Sequence, residues 1–284
     1  MRVLVTGASG QLGRDVVLAC EAAGDEVIAC DRAVLDVCDR DAVLGAVTST
    51  APDAVVHCAA WTAVDACEAD PDRAFATNAL AVRFVHEACQ RAGSHLVHIS
   101  TDYVFSGEKD EPYHEWDIPD PLGVYGQSKL GGELEAGPDA TIVRTSWVCG
   151  QHGANMVKTI LRLSAEMDAL AFVDDQRGHP TFTADLAPLV RRLAVDRRPG
   201  IHHVTNQGAV SWFEFARDVV AAAGRDPEMV RPIATADLDP PRPAPRPANS
   251  VLDNAALRLG GMPLLDDFRA PLARLVERLL TPPA

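Results

Sequence analysis

The sequence of 284 residues predicts an α/β fold, with a doubly wound parallel sheet and a smaller C-terminal region. Short apolar runs rich in β-branched residues recur along its first half, and segments with helical spacing separate them. Continuous apolar runs are typical of parallel strands covered on both faces, and strand, helix and strand in alternation form right-handed βαβ units. The predicted strands are residues 3–5, 27–29, 55–56, 96–99 and 141–143, and the predicted helices are residues 12–23, 40–47, 72–92 and 125–136.

The pattern changes after residue 150. The stretch from Asp239 to Pro247 is rich in proline, which excludes a helix or a central strand and predicts an extended loop. We expect one domain over residues 1–150, to which segments near residues 170–205 return, and a second region over residues 151–284. The later predicted helices are residues 155–167, 212–223 and 268–280, and the later predicted strands are residues 170–173 and 201–204.

The composition argues against several classes of partner. A formal net charge of −14 disfavours binding to nucleic acid or to anionic lipid. No apolar stretch approaches the roughly 20 residues of a membrane helix, and the N-terminus shows no basic and apolar leader. The seven cysteines are dispersed without a C-x-x-C pair, and the nine histidines have no metal-binding spacing. We therefore expect a cytoplasmic protein with reduced thiols that binds no metal, nucleic acid or membrane.

Three glycines follow the first predicted strand in the order Gly7-x-x-Gly10-x-x-Gly13. Gly7 can adopt the dihedral angles of a tight turn, Gly10 lets the backbone approach a pyrophosphate, and Gly13 allows close packing of helix on strand. The helix that follows has free N–H groups and partial positive charge at its N-terminus, which attract an anion. The loop therefore predicts a dinucleotide-binding Rossmann domain, and its spacing is typical of short-chain dehydrogenases rather than of the G-x-G-x-x-G loop.

The end of the second predicted strand carries two residues with opposite implications for the cofactor. Asp31 can hydrogen-bond the ribose hydroxyls of the adenosine, whereas Arg32 could pair with a 2′-phosphate. The choice between NAD and NADP stays open on this ground. Asp36 and Val37 follow closely enough to reach the adenine ring, although Asp36 is equally typical of a turn or a helix cap.

Tyr125 and Lys129 are the predicted catalytic pair. Positions i and i+4 of a helix share one face, so the phenol and the ammonium lie on the same surface. A free tyrosine has a pKa near about 10, and a nearby ammonium favours the phenolate and moves this pKa toward neutrality. Thr101 ends the fourth predicted strand, where such folds bind ligands, and can hydrogen-bond both the Tyr125 hydroxyl and a substrate oxygen.

Segments along nearly the whole chain resemble one family of proteins. The glycine loop, Ser-Thr-Asp-Tyr-Val-Phe at residues 100–105 and Val-Tyr-Gly-Gln-Ser-Lys at residues 124–129 are similar to the extended short-chain dehydrogenases. Four further segments narrow the resemblance to the dTDP-4-dehydrorhamnose reductase family, namely residues 59–65, 144–148, 175–181 and 246–250. Members of that family reduce a 4-keto sugar nucleotide to dTDP-L-rhamnose with NADPH or NADH.

The resemblance implies NADP as the cofactor, with NAD as the alternative, and a dTDP-linked sugar as the substrate. It implies that hydride passes from the nicotinamide to C4 of dTDP-4-dehydro-L-rhamnose while Tyr125 protonates the oxygen. Trp61 stands where the family more often has histidine or tyrosine, and residues 149–153 also depart from the family pattern. The implied cofactor contacts are Gly10, Gln11, Leu12, Asp31, Asp36, Val37, Ala60, Trp61, Thr62, Tyr125 and Lys129, and the implied sugar contacts are Thr101, Asp102 and Trp147.

Several points stay open at this stage. Asn155 and Arg246 are candidates for binding the diphosphate, since a guanidinium fork suits its oxygens, although Arg246 is equally typical of a solvated loop. Alternative functions are the reduction of another NDP-4-keto-deoxysugar, epimerisation, or a noncatalytic regulatory role as an NADP-binding subunit. A homodimer is among the assemblies that the sequence leaves open.

Overall fold

Six parallel strands form the central sheet of the computed structural model, which describes residues 1–281. The strands of the chain are β1 (Arg2–Thr6), β2 (Glu26–Cys30), β3 (Ala54–His57), β4 (His95–Thr101), β5 (Thr141–Thr145), β6 (Val148–Cys149), β7 (Leu170–Val173), β8 (Arg177–Gly178), β9 (Thr181–Phe182), β10 (Gly200–His203), β11 (Val210–Ser211) and β12 (Val230–Ile233). The order in the central sheet is β2-β1-β3-β4-β5-β10, with parallel pairing throughout. The predicted doubly wound sheet is therefore confirmed, and its chain order reverses between β1 and β3, where such sheets bind ligands at the carboxyl ends of the strands.

Helices cover both faces of the central sheet, because successive side chains of a strand point to opposite sides. Val3 and Val5 of β1 belong to the core under α1 and α8, whereas Leu4 belongs to the core under α2 and α5. The helices are α1 (Gln11–Ala22), α2 (Arg40–Thr50), α3 (Val64–Ala69), α4 (Pro71–Phe75), α5 (Ala81–Ala92), α6 (Val124–Glu135), α7 (Met156–Glu166), α8 (Thr183–Val195), α9 (Trp212–Ala222), α10 (Ala255–Leu259) and α11 (Arg269–Leu280).

The predicted helix over residues 72–92 is interrupted in the structure. Between α4 and α5 lies a π-helical turn, Ala76–Leu80, which widens the helix locally. Such turns are frequent at functional sites, and neither proline nor glycine marks this one in the sequence. The turn buries the side chain of Asn78, which is 1% exposed.

Helix α8, which carries Pro188 in its interior, was not expected from the sequence. Proline is disfavoured inside helices, yet Leu186 and Leu193 of α8 complete the core on one face of the sheet. The strand expected at residues 201–204 follows as β10 and joins the sheet beside β5. By contrast, β7 does not join the central sheet but pairs with β12.

A third core lies in the C-terminal part of the chain, where α7, α9 and α11 pack together around Phe215 and Phe268. The predicted proline-rich loop is confirmed, since residues 239–247 contain neither helix nor strand. This loop is attached to α3, because Asp65 accepts a hydrogen bond from the backbone N–H of Ala244. Among residues 1–281, none of the helices has the length and apolar character needed to cross a membrane.

Candidate active site

Two clefts meet above the carboxyl ends of the central strands. The glycine-loop cleft is lined by Gly7, Gly10, Arg32, Asp36, Val37 and Trp61, among others. The strand-end cleft is lined by Gln11, Thr62, Thr101, Asp102, Tyr125, Lys129, Trp147 and Trp212, among others. Gly10, Cys58 and Ala60 line both clefts, so the two are continuous.

The glycine loop leaves no room for side chains at two of its positions. Gly7 has φ +63°, and a Cβ there would lie 2.8 Å from the backbone nitrogen of Ala59. A Cβ at Gly13 would lie 2.2 Å from the carbonyl oxygen of Gly7, which explains why helix and loop pack so closely. Gly10 precedes α1 without a side-chain cap, so the first N–H groups of the helix stay available to an anion. The loop therefore fits a dinucleotide pyrophosphate.

The residues that follow β2 divide into two groups. Arg32, Asp36 and Val37 line the glycine-loop cleft, as expected. Asp31 is not among the residues that line it, and Oδ1 of its carboxylate accepts hydrogen bonds from the backbone N–H groups of Ala33 (2.9 Å) and Val34 (3.1 Å). The structure therefore brings the arginine, and not the aspartate, to the cleft.

Trp61 is held at the cleft by its backbone. Asn78 accepts a hydrogen bond from the N–H of Trp61 (2.8 Å) and donates one to its carbonyl oxygen (3.0 Å). The same amide also donates to the Ser128 hydroxyl of α6 (3.0 Å), one position before Lys129. Because the π-helical turn positions Asn78, it links the backbone of Trp61 at the glycine-loop cleft to α6.

Tyr125 and Lys129 lie in the first two turns of α6, and both are buried. The Lys129 ammonium donates a hydrogen bond to the carbonyl oxygen of Ile99 (2.6 Å) and lies 3.4 Å from Nε2 of His98. Burial lowers the pKa of Lys129 to about 8, although the charge of Glu133 opposes this shift.

The pKa of Tyr125 differs from the expectation. Burial raises it above the ordinary value, and this effect is larger than that of any neighbouring group. The physical reason is the loss of solvation in the buried site, and the hydroxyl of Thr101 is the neighbour that most favours the phenolate. Burial therefore outweighs the groups that favour the phenolate in this structure, and the phenol holds its proton at neutral pH.

Thr101 and Asp102 form a polar pair at the end of β4. The Thr101 hydroxyl donates to Oδ1 of Asp102 (2.9 Å), and its oxygen accepts from the backbone N–H of Tyr103 (3.2 Å). Burial raises the pKa of the Asp102 carboxyl to about 6, while hydrogen bonding by the Ser250 and Thr101 hydroxyls opposes this shift. Asp102 is among the residues that line the strand-end cleft, although it is only 1% exposed.

Beneath the catalytic helix lies a buried ion pair that sequence reasoning missed. Glu133 accepts hydrogen bonds from Nε (2.9 Å) and Nη2 (2.6 Å) of Arg144, and also from the Ser100 hydroxyl (2.5 Å). The side chains of Arg144 and Glu133 are only 1% and 4% exposed. Together with Ser100, this pair joins α6, β4 and β5. Glu133 stands i+4 from Lys129 in the sequence, but nothing local shows that it is buried.

Two tryptophans form one wall of the strand-end cleft. The indole rings of Trp147 and Trp212 stack at 3.6 Å between centroids, with 9° between their planes. Trp147 has φ +43°, a left-handed conformation that is costly for a bulky residue, and its ring packs on Gly178. The sequence predicted a sugar contact at Trp147 but missed Trp212, which only the tertiary structure brings beside it.

The two candidates for the diphosphate lie outside the residues that line either cleft. Asn155 caps α7 by accepting from the N–H of Lys158 (3.2 Å), and its amide donates to Gln11 (3.0 Å). Arg246 forms a two-pronged ion pair with Asp65, with Nη1 to Oδ1 at 2.6 Å and Nη2 to Oδ2 at 2.8 Å. Their binding of a diphosphate stays a prediction. For metal ions, residues 1–281 contain no suitable group of three or more His, Cys, Asp or Glu side chains.

Comparisons with known proteins agree on one family. The sequence matches the model of the RmlD substrate binding domain over residues 1–281. It is 43% identical, over 280 residues, to a dTDP-4-dehydrorhamnose reductase of Streptomyces griseus, covering 95% of this chain and 91% of that protein. It is 42% identical to a probable dTDP-4,6-dihydroxy-2-methyloxan-3-one 4-ketoreductase of Streptomyces antibioticus, covering 99% of this chain and 96% of that protein.

The fold is also similar to a solved structure. A dTDP-4-dehydrorhamnose reductase of Bacillus anthracis, crystallised in complex with NADP, superposes with a TM-score of 0.93. The two chains are 37% identical, and the match covers 98% of this chain and 99% of that one.

Proposed function

The chain belongs to the RmlD substrate binding domain family, and from this premise we propose that it reduces dTDP-4-dehydro-L-rhamnose with NADPH. The product is dTDP-L-rhamnose, in which the C4 ketone has become a hydroxyl. One observation carries this proposal, namely that Thr101, Tyr125 and Lys129 line a single cleft that opens onto the glycine loop. A ketone held there lies between a proton donor and the site of a reduced dinucleotide.

NADPH supplies the hydride when it is bound, and NADH is the alternative cofactor. The glycine loop fits either dinucleotide, because Gly7 and Gly13 exclude side chains and Gly10 leaves the N-terminus of α1 uncapped. The similar protein of Bacillus anthracis was crystallised with NADP, which supports the phosphorylated form.

The residues of the chain supply the proton and its positioning. Because burial raises the pKa of Tyr125, the phenol is protonated at neutral pH and can donate to the ketone oxygen as negative charge develops there. The Thr101 hydroxyl lies beside this phenol and orients the same oxygen. The Lys129 ammonium adds positive charge that stabilises the phenolate left behind. Asp102 and Trp147 contact the sugar in this proposal.

A further proposal assigns the binding of the cofactor and of the sugar nucleotide to different regions of the chain. Residues 1–150, together with α8 and β10, would bind the cofactor, and residues 151–284 would mainly bind the sugar nucleotide. The packing of Trp212 from α9 against Trp147 supports a substrate role for the C-terminal region. We also propose a cytoplasmic location, supported by seven free cysteines, and a homodimer as the assembly.

The test is an assay of the purified chain with dTDP-4-dehydro-L-rhamnose generated in situ. Oxidation of NADPH or NADH is followed by absorbance, and the sugar nucleotide product is identified by mass spectrometry and NMR. Formation of dTDP-L-rhamnose with loss of NADPH supports the proposal. No oxidation of either cofactor, with NADP still bound, would favour the noncatalytic regulatory role instead.

A second candidate substrate has an observation in its favour. The Streptomyces antibioticus relative is almost as similar as the reductase from Streptomyces griseus, and its name describes a ketoreductase of a different dTDP-linked sugar. A panel of dTDP-4-keto-deoxysugars separates the two candidates. A kcat/KM for another 4-keto sugar about tenfold or more above that for dTDP-4-dehydro-L-rhamnose would assign the chain to that sugar.

A further inference from the structure

Two arginines without an ion-pair partner line the glycine-loop cleft. Arg32 directly follows β2, and Arg73 belongs to α4. Within residues 1–281, neither guanidinium comes within 4.0 Å of an Asp or Glu carboxylate, whereas Arg246 and Arg144 are both paired in this way. In a chain with a net charge of −14, two such cations in one cleft form a local positive patch that is suited to an anion.

Arg73 is positioned by an aromatic ring. Its guanidinium carbon lies 4.2 Å from the centroid of the Trp61 ring, and Asn78 fixes the backbone of Trp61 on both sides. The backbone of Arg73 is also held, since its N–H donates to the Asp70 side chain that caps α4 (3.2 Å). Stacking uses the face of the guanidinium and leaves the N–H groups at its edge free to bind an anion.

The location within the cleft identifies the anion. A dinucleotide pyrophosphate lies at the N-terminus of α1, which Gly10 leaves uncapped. Arg32 instead stands at the end of β2, where folds of this type bind the adenosine ribose. The carboxylate of Asp31 would repel a phosphate there, but Asp31 is not among the residues that line the cleft, and its Oδ1 accepts two backbone hydrogen bonds of its own turn.

We propose that Arg73 and Arg32 together bind the 2′-phosphate of NADPH, and that this pair makes the chain prefer NADPH to NADH. The inference rests on the proposed function, because it assigns residues to the cofactor of that reaction. NADH differs from NADPH only in lacking this phosphate. Removing a contact to the phosphate therefore weakens the binding of one cofactor and leaves the other unchanged.

The test measures cofactor affinity by calorimetry in the absence of any sugar nucleotide. The ligands are NADPH, NADH and adenosine 2′,5′-bisphosphate, which carries the 2′-phosphate without a nicotinamide. The variants are Arg32→Ala, Arg73→Ala, Arg73→Lys and the double alanine variant. Arg83→Ala is the matched control, because Arg83 lies on the neighbouring α5 and pairs with Glu135 away from the cleft.

Arg73→Ala should weaken the binding of NADPH and of the bisphosphate by about tenfold or more, and that of NADH by less than about twofold. Arg73→Lys should recover part of the loss, because it keeps the charge but not the fork. Higher salt should weaken NADPH binding to the wild type, since both arginines are exposed and their charges are screened. The difference in NADPH affinity between the wild type and Arg73→Ala should therefore become smaller. Arg83→Ala should bind both cofactors as the wild type does.

Two results would overturn the inference. If Arg73→Ala weakens the binding of NADPH and of NADH equally, Arg73 acts through Trp61 or the adenine. If Arg73→Ala leaves the binding of NADPH unchanged, Arg73 does not belong to the site. Failure of the proposed function gives a different pattern. A chain that prefers NADPH in the binding assay but reduces no dTDP-4-keto sugar would refute the reductase proposal and leave the phosphate site intact.

Discussion

Replacing Glu133 by glutamine tests whether the buried ion pair supports the active site. Arg144 is 1% exposed and receives its compensating charge from Glu133 through two hydrogen bonds. Glutamine keeps the size of the side chain but leaves the guanidinium buried without a negative partner. Breaking a buried pair in this way costs about 3–5 kcal/mol of the free energy of unfolding. The entropy of unfolding of a protein of this size is about 0.6 kcal/mol/K, so the expected fall in Tm is roughly 5–8 °C.

The same variant should change the pH dependence of activity. The Glu133 carboxylate raises the pKa of Lys129 against the effect of burial, so its loss should lower that pKa below about 8. The Lys129 ammonium would then be lost at lower pH, and the alkaline limb of kcat/KM should shift in the same direction. A mutation that only loosened the fold would not move this limb.

The assay is urea denaturation followed by circular dichroism, together with the pH profile of NADPH oxidation. Glu135→Gln is the matched control, because Glu135 lies two residues further along α6 and pairs with Arg83 at the surface, where its loss should have little effect. A double variant in which leucine replaces Glu133 and methionine replaces Arg144 should be more stable than Glu133→Gln, since it leaves no unpaired charge. The reasoning is refuted if Glu133→Gln unfolds at the same urea concentration as the wild type.

Three further predictions concern the proposed reaction. Tyr125→Phe should lower kcat by roughly 10²–10⁴-fold, the size of a general-acid contribution, while NADPH still binds; turnover near that of the wild type would exclude Tyr125 as the proton donor. For the wild type, kcat/KM for NADPH should decline as the pH rises through about 8, where Lys129 loses its proton. Lys129→Arg should abolish this decline because arginine stays charged. If the decline persists in Lys129→Arg, the ionisation belongs to another group. If Arg246 binds the diphosphate, Arg246→Ala should raise the KM of the sugar nucleotide by about tenfold or more. If Arg246 only forms its ion pair with Asp65, the variant should have an unchanged KM and lower stability. Initial rates measured over a range of sugar nucleotide concentrations decide between these two roles.

Much of the fold follows from local patterns. The apolar runs that became β1 to β5 and the glycine loop depend on residues a few positions apart, and all of these elements are present in the structure. The elements that sequence reasoning missed depend on distant contacts. α8 forms despite Pro188 because Leu186 and Leu193 are buried against the sheet, and the π-helical turn forms where Asn78 can bond Trp61 and Ser128.

In the candidate site, too, some features follow from local sequence patterns and others depend on distant contacts. The spacing of Tyr125 and Lys129 could be read directly, because one helix places both residues on one face. Trp212 could not be assigned to the site, since its stacking on Trp147 depends on how α9 packs. Glu133 was missed for a related reason: a carboxylate in an amphipathic helix is normally solvated, and only the position of Arg144 on β5 makes burial tolerable.

The sequence by itself determined the doubly wound sheet, the glycine loop and the Tyr125–Lys129 pair, because each depends on a short-range period or on the steric properties of single residues. Only the tertiary structure decided which charged groups face the cofactor and which are neutralised. Asp65 and Arg246 lie 181 positions apart and form an ion pair, while Asp31 turns back onto its own loop and Arg32 and Arg73 face the cleft. Electrostatic roles depend on distances in space, and a linear pattern does not contain those distances.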